Sequence, residues 1–100
     1  MMPVIFLPEA EEEMVEASLY YQSQSPRLGV EFLSEVERAV KSIAASPNTW
    51  PILEGDLRRR LTKRFPFGIL YRIESAAIVA IAVAHLRRKP GYWKDRIRKT

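Results

Sequence analysis

The residues best suited to chemistry lie near the C-terminus, directly after the longest apolar run of the sequence. His85 ends this run, and imidazole is the side chain with an unperturbed pKa near neutrality, so it could move a proton to or from a ribose hydroxyl. Arg87 and Arg88 could stabilise charge on a scissile phosphate, and Tyr92 could stack on a base. These four residues are the catalytic candidates if the protein is a nuclease. The alternative for His85 is a structural role, in which it holds the end of a strand by hydrogen bonds.

Basic residues form two clusters that could bind a polyanion or an acidic protein. The first cluster is Arg58, Arg59, Arg60, Lys63 and Arg64, and the second is Arg87, Arg88, Lys89, Lys94, Arg96, Arg98 and Lys99. The residues predicted to bind a target or a nucleic acid are Arg58, Arg60, Lys63, Arg64, Arg72, Lys89 and Arg96. On a strand, alternation places Arg58 and Arg60 on one face and Arg59 on the other. The alternative is a solvated basic surface, paired in part with glutamates of the first helix.

These clusters belong to an uneven distribution of charge along 100 residues, a length that predicts one domain, residues 1–100. Residues 1–50 carry eight acidic and three basic side chains, a charge of −5. Residues 51–100 carry four acidic and thirteen basic side chains, a charge of +9. The absence of cysteine and the single histidine exclude a disulfide framework, a cysteine-ligated metal and a multi-histidine metal site. We therefore predict no metal and no cofactor.

The elements that must position these residues follow from hydrophobic periodicity and from the prolines. A strand over 3–7 precedes a helix from Pro8 to about residue 24, and Ser25-Pro26 begins a second helix that ends near residue 46. Residues 47–56 are predicted to form a loop. Alternating patterns then predict strands over 57–63, 67–73 and 77–84, and a short basic tail or helix over 92–99. The order β-α-α-β-β-β predicts an α+β domain with an antiparallel sheet and a helical hairpin on one face.

The last predicted strand is apolar on both faces, which is typical of a central strand. One face, predicted to pack on the helices, carries Ala77, Val79, Ile81 and Val83, and the other, suited to the floor of a groove, carries Ile78, Ala80, Ala82 and Ala84. The sheet face away from the helices is predicted to lack cover within the chain. Residues 9–16 are interpreted as a helix N-terminus with a solvated acidic face. Trp93 is predicted to pin the C-terminal segment to the core.

Three segments of the chain share a distinctive pattern of aromatic, basic and proline residues. They are GVEFLSEVERAVKSIAASPNTWP, RRRLTKRFPFGILYRIE and IVAIAVAHLRRKPGYWKDR. Their motifs Arg-Arg-x-Leu, Arg-Phe-Pro-Phe-x-Ile-x-Tyr and His-x-x-Arg-x-Pro-x-Tyr-Trp resemble the RelE/ParE superfamily of toxins from bacterial type II toxin–antitoxin systems. The resemblance covers nearly the whole chain, and the fold that it implies agrees with the predicted order of elements.

The resemblance implies one of two activities. RelE-like members cut messenger RNA in the ribosomal A site without a metal, and ParE-like members poison DNA gyrase by binding. RelE-like enzymes place a catalytic arginine at the position of Gly68, and its absence favours the ParE-like activity. Tyr92 matches their terminal aromatic position, and the basic position after the last strand is matched by His85, Arg87 or Arg88. The alternatives are a RelE-like ribonuclease that uses these residues and an inactive nucleic-acid-binding remnant.

The resemblance also implies a partner. Family members are neutralised by a small cognate antitoxin, which we expect to carry an acidic amphipathic segment that covers the open sheet face and its basic rim. No signal peptide or membrane span is predicted, since the longest apolar run, residues 76–84, has about half the length of a span. A cytoplasmic location and no membrane partner are therefore expected.

Overall fold

The computed structural model of the protein describes residues 1–97, in which two helices pack on one face of a five-stranded sheet. The elements in chain order are β1 (Val4–Phe6), α1 (Pro8–Gln24), α2 (Pro26–Ala45), β2 (Ile52–Glu54), β3 (Leu57–Leu61), β4 (Phe67–Ile73), β5 (Ile78–His85) and α3 (Lys94–Ile97). The predicted α+β class and the helical hairpin are confirmed. Residues 52–54, predicted to belong to a loop, instead form the short strand β2. Arg98 and Lys99 of the second basic cluster lie outside the described residues.

Both long helices begin at a proline, which has no N–H to leave unpaired and whose φ is already helical. Glu9 and Glu11 lie in the first turn of α1, where the helix dipole stabilises carboxylates. The two helices come close together at Gly29, where a Cβ would lie 2.9 Å from the carbonyl oxygen of Ser18. A side chain at this position would therefore push the helices apart.

The sheet order is β1-β5-β4-β3-β2, and the sheet is mixed, which corrects the prediction of an antiparallel sheet. β1 runs parallel to β5 with Val4 opposite Ile78, whereas the other neighbouring strands are antiparallel. The prediction was wrong because the periodicity of a short strand specifies neither its neighbour nor its direction. At the opposite edge, Gly55 has a φ of 59° and makes the tight turn between β2 and β3, which a residue with a side chain would adopt only with strain.

A β-bulge in β5 changes which of its side chains face the helices. Leu70 and Tyr71 are adjacent on β4, but their partners Ala82 and Ala80 are two residues apart, so Ile81 is the bulged residue. The residues of β5 in the core cluster with the helices are Ile78, Ala80 and Val83, and those in the cluster on the opposite face are Ile81, Ala82 and Ala84. The predicted strict alternation was therefore wrong, because the bulge reverses the pattern within the strand.

The C-terminal segment covers the sheet face away from the helices, which corrects the prediction that the chain leaves this face open. Trp93 packs there and is only 5 % exposed. It belongs to a second apolar cluster with Leu57, Leu70, Ile81, Ala82 and Ala84. The predicted role of Trp93 in pinning the C-terminal segment is thus confirmed. The packing of the C-terminal segment on this face was not predicted, because α3 has only four residues and is too short to show a hydrophobic period.

Candidate functional site

A groove lies on the sheet face opposite the helices, between the β2–β3 hairpin and the chain that follows β5. Its lining comprises Leu53 and Arg59 of the hairpin, Leu70, Ala84 and His85 of the central strands, and residues 88–93. We call it the C-terminal groove. Arg59 comes from the first basic cluster, whereas Arg88 and Lys89 come from the second. The two basic clusters thus meet in this groove through these three residues.

Arg59 covers the position at which RelE-like enzymes carry an arginine. In the β3–β4 register, Arg59 is opposite Leu70 and Leu61 is opposite Gly68, so Arg59 is a diagonal neighbour of Gly68. A Cβ built on Gly68 would lie 3.0 Å from both Cγ and Cδ of Arg59. The stem of Arg59 thus occupies the space that a side chain at 68 would fill, and a cation reaches the groove from the neighbouring strand. Arg59 was left out of the predicted binding residues because its own face of β3 was not recognised as the groove face.

His85 holds the end of β5 through hydrogen bonds. Its Nδ1 accepts the backbone N–H of Arg87 at 3.0 Å, and its carbonyl oxygen accepts the backbone N–H of Arg88 at 3.0 Å. The imidazole also packs edge-on against Phe67, with 5.0 Å between the ring centroids. An Nδ1 that accepts a hydrogen bond leaves the proton of neutral imidazole on Nε2. The structural role considered for His85 is observed, and its role in proton transfer stays a prediction.

Tyr92 is held by a carboxylate of the first helix. Its hydroxyl donates to Oε2 of Glu13 at 2.6 Å, and the guanidinium of Arg88 stacks on its ring at 3.9 Å. Burial, followed by the hydrogen bond and the negative charge of Glu13, raises the pKa of Tyr92, while the charges of Arg96 and Arg88 oppose this rise. The hydroxyl is therefore a proton donor to Glu13, and its base-stacking role stays a prediction.

Glu13 is the centre of a network that the sequence interpretation missed. Besides the Tyr92 hydroxyl, it accepts two hydrogen bonds from Arg96, at 2.8 and 3.0 Å, and one from the backbone N–H of Val83 at 3.0 Å. Both charged side chains of the Glu13–Arg96 pair are only 14 % exposed. Glu13 was interpreted as part of a solvated face. A usable signal was its spacing, three residues after Ala10 and four before Ala17, which places it beside the core-facing stripe of α1.

Arg96 was predicted to bind a target, but the contacts observed for it are with its own domain. Besides its two bonds to Glu13, it donates to the carbonyl oxygen of Ile81 in the bulge at 3.2 Å. The hydrogen bond to Glu13 is the main cause that raises the pKa of the Arg96 guanidinium. This set of contacts joins α1, β5 and α3 at one point. Arg96 therefore holds the C-terminal segment against the rest of the domain.

Arg58 and Arg60 lie away from the C-terminal groove and bind their own chain. Arg58 donates to the carbonyl oxygens of Asn48 and Trp50 at 3.1 and 2.7 Å. Arg60 donates to the hydroxyl of Ser42 at 2.9 Å and stacks on the ring of Trp50 at 4.4 Å. These contacts hold the loop between α2 and β2 against the sheet. The predicted role of both arginines in binding a target stays a prediction.

The remaining predicted binding residues are dispersed. Arg64 has a φ of 69° in the turn after β3 and pairs with Glu31 of α2 at 3.3 Å. Arg72 pairs with Glu74 at 2.8 Å at the other end of β4. Exposed cations without a carboxylate partner among residues 1–97 are Lys63, Arg87, Arg88 and Lys89, and of these Arg88 stacks on Tyr92. Of the predicted binding residues, only Lys89 lies in the C-terminal groove.

Over residues 1–97, no group of three or more histidine, aspartate or glutamate side chains is arranged to hold a metal ion. Over the same residues, neither long helix is apolar enough to cross a membrane.

Comparison with known proteins identifies the family. Residues 4–90 match the family described as the ParE toxin of the type II toxin–antitoxin system parDE. The fold is similar to a solved structure titled "Chromosomal ParDE TA system from P. aeruginosa", with a TM-score of 0.77 and 16 % sequence identity. That similarity covers 87 % of this chain and 98 % of the other. No curated protein matches the sequence. Because the family match spans most of its length, the chain belongs to the ParE toxin family of type II toxin–antitoxin systems.

Proposed function

We propose that this toxin-family member inhibits growth by binding DNA gyrase and that a cognate antitoxin neutralises it. The family match to ParE toxins supports this activity over messenger RNA cleavage. The observation that carries the choice is Gly68, which leaves the catalytic arginine of RelE-like enzymes without a counterpart at its own position. The stacking of the Arg88 guanidinium on the ring of Tyr92 supports the same choice, since it covers a ring face on which a base would have to stack.

Inhibition by binding requires exposed side chains that are not already used within the domain. Lys89 meets this condition in the lining of the C-terminal groove, and Arg87 meets it two positions earlier in the chain. We call the exposed segment 86–90 that contains them the basic rim, and Arg59 adds a cation inside the groove. We assign the contact with the gyrase–DNA complex to this rim. A basic rim accelerates association with an acidic surface and fixes its orientation, and these effects weaken as salt is added.

The test is a supercoiling assay with purified gyrase, relaxed plasmid and the purified chain. We expect loss of supercoiling and accumulation of cleaved DNA that is trapped on the enzyme. The double variant Arg87→Gln/Lys89→Gln should weaken the effect, whereas Arg27→Gln, which removes an 89 % exposed charge on the helical hairpin, should not. Undiminished supercoiling at a large excess of the chain would sink the gyrase proposal.

One observation favours the RelE-like ribonuclease as a second candidate function. The stem of Arg59 lies over Gly68, in the groove that His85 and Arg88 also line. A guanidinium from β3 could thus stand in for the arginine missing from β4 and stabilise charge on a phosphate. Translating ribosomes with a defined messenger RNA provide the test. If the chain cuts this RNA, and His85→Ala or Arg88→Ala abolishes the cleavage, the protein is a ribonuclease and the gyrase proposal is wrong.

Expression in cells distinguishes the two toxic activities from an inactive remnant. Growth arrest with a DNA-damage response supports gyrase as the target, and growth arrest with cleaved messenger RNA supports the ribonuclease. Unimpaired growth at a verified level of folded protein would contradict both activities and favour the nucleic-acid-binding remnant.

A further inference from the structure

The basic rim contains one cation whose side chain is held in place. The guanidinium of Arg88 lies 3.9 Å from the centre of the Tyr92 ring, and the backbone N–H of Arg88 donates to the carbonyl oxygen of His85 at 3.0 Å. Within residues 1–97, the side chains of Arg87 and Lys89 have no carboxylate partner and stack on no ring. Arg88 is therefore the fixed charge of the rim, and its two neighbours are solvated charges.

The stacked arrangement leaves the hydrogen-bonding edge of Arg88 available. A guanidinium carries five N–H donors in its own plane, so a ring that covers its face does not use them. Arg88 is exposed and has no ion pair with a carboxylate of residues 1–97. It can thus donate two parallel hydrogen bonds to one carboxylate while it stays on the ring. A side chain that is already in position also loses less conformational entropy when it binds.

The ring under Arg88 is fixed by a carboxylate of α1. The hydroxyl of Tyr92 donates to Oε2 of Glu13 at 2.6 Å, and the backbone N–H of Tyr92 donates to the carbonyl oxygen of Lys89 at 3.2 Å. The guanidinium of Arg96 lies 5.0 Å from the centre of the same ring. The ring cannot turn away from Arg88 without breaking its hydrogen bond to Glu13.

Glu13 is itself held from two other elements. Arg96 of α3 donates to both of its oxygens, and the backbone N–H of Val83 in β5 donates to Oε1 at 3.0 Å. Glu13 is not part of the lining of the C-terminal groove, whereas Arg88 and Tyr92 are. Any effect of Glu13 on a target bound in this groove therefore passes through Tyr92 to Arg88.

We propose that Glu13 is a positioning residue for inhibition of gyrase. Acting through the hydroxyl and the ring of Tyr92, it places the Arg88 guanidinium where this group binds a carboxylate of gyrase. This inference rests on the proposed function in taking gyrase as the target, whereas the positioning of Arg88 is a property of the free chain. Arg87 and Lys89 attract the target, and Arg88 makes the directional contact.

The first test measures the positioning of Arg88 in the free chain by NMR. Protons that lie over the face of an aromatic ring resonate at high field, so the Cδ and Nε protons of Arg88 report on the stacking. The variant Tyr92→Phe keeps the ring and removes only its hydrogen bond to Glu13. We expect the high-field shift of the wild type to be lost in large part in Tyr92→Phe and kept in the control Tyr20→Phe. An equal shift in Tyr92→Phe and the wild type would overturn the proposal.

The second test measures gyrase inhibition per folded molecule in the supercoiling assay. Arg88→Gln should raise the concentration for half-maximal inhibition about tenfold, the effect of one lost charge-assisted hydrogen bond. Tyr92→Phe should raise it about threefold, because the cation is kept but no longer held. In the Arg88→Gln background, Tyr92→Phe should change nothing further. A purely structural role of Tyr92 predicts equal effects in both backgrounds, and that result would overturn the proposal.

Glu13 is tested directly by Glu13→Met, which removes the acceptor of the Tyr92 hydroxyl. Its inhibition per folded molecule should match that of Tyr92→Phe, and the same change at the exposed neighbour, Glu12→Met, should have no effect. If Glu13→Met does not fold, Tyr92→Phe still decides, because it breaks the same link and leaves the pair of Glu13 and Arg96 in place.

The outcomes separate this inference from the proposed function. Inhibition of gyrase by the wild type and by Tyr92→Phe with equal potency refutes the role of Glu13 and leaves the gyrase proposal intact. Failure of the wild type to inhibit gyrase, with an Arg88 shift that depends on the Tyr92 hydroxyl, refutes the gyrase proposal and supports the positioning of Arg88 by Glu13.

Discussion

The hydroxyl of Tyr92 lies 2.6 Å from Oε2 of Glu13, and this contact joins the C-terminal segment to the first helix across 79 positions of sequence. The same carboxylate binds Arg96 and the backbone of Val83 in β5. One side chain of α1 thus fixes the central strand and the segment that carries Trp93 onto the second sheet face. This network therefore positions the C-terminal side of the groove, which Tyr92 and Trp93 line.

Replacement of Glu13 by glutamine should destabilise the domain. Glutamine keeps the size of the side chain but leaves the largely buried guanidinium of Arg96 without its counter-charge. We expect a loss of about 2–3 kcal/mol in the free energy of unfolding, less than for a fully buried pair because some solvent reaches it. Urea denaturation measures the loss. The matched control Glu12→Gln, an exposed residue of the same helix, should stay within about 0.5 kcal/mol of the wild type.

Stability should fall as the pH rises above the ordinary pKa of tyrosine, and Tyr92 should account for part of the fall. Burial and Glu13 raise the pKa of Tyr92 in the folded state from its ordinary value of 10.0. Above that value the unfolded chain releases the proton while the folded chain keeps it, so ionisation favours unfolding. The contribution of Tyr92 is therefore complete below pH 10 and lost as the pH rises further.

The variant Tyr92→Phe isolates this effect. Its free energy of unfolding, measured by urea denaturation at pH 8 and again above pH 10, should decline less than that of the wild type. Leu19→Ser, at an exposed position of α1, keeps every tyrosine, serves as control and should decline as steeply as the wild type. Equal declines for Tyr92→Phe and the wild type would show that the folded state does not hold the Tyr92 proton.

The helices and the central strands could be predicted because their signals are local. Proline at the first position of each helix and the alternation over β4 act on neighbouring residues. The parallel pairing of β1 and the bulge at Ile81 could not be predicted in this way. Both depend on which strands lie side by side, and residues far apart in sequence decide that.

The candidate site shows the same division. The sequence placed cations near the groove, and Arg88 and Lys89 do lie in it. The sequence could not show that Arg96 forms an ion pair with Glu13, because these residues are 83 positions apart. Nor could it show that Arg58 binds the loop before β2 while Arg59 enters the groove. Charge is visible in sequence, whereas the partner that satisfies a charge is a property of the fold.

Arg58 should prove structural when replaced by methionine. Methionine keeps much of the aliphatic stem but cannot donate to the carbonyl oxygens of Asn48 and Trp50. We expect a loss of about 1–2 kcal/mol in the free energy of unfolding, measured by thermal or urea denaturation. Lys63→Met, the same change of charge at an exposed position, should leave stability nearly unchanged. If gyrase inhibition per folded molecule falls for Arg58→Met as well, Arg58 contacts the target in addition to the loop.

The contact between Arg59 and Gly68 predicts a coupling that a double-mutant cycle can measure. Replacing a glycine inside a strand by alanine usually gains about 0.5–1 kcal/mol, because it lowers the entropy of the unfolded chain. At position 68 the new Cβ would meet the Arg59 stem at 3.0 Å, so the arginine must shift. Gly68→Ala alone should therefore be close to neutral. In the Arg59→Ala background, where the space is open, the same substitution should show the full gain in urea denaturation. Equal effects of Gly68→Ala in both backgrounds would mean that the Arg59 side chain does not lie over Gly68 in solution, and the argument for a cation supplied from β3 would fall with it.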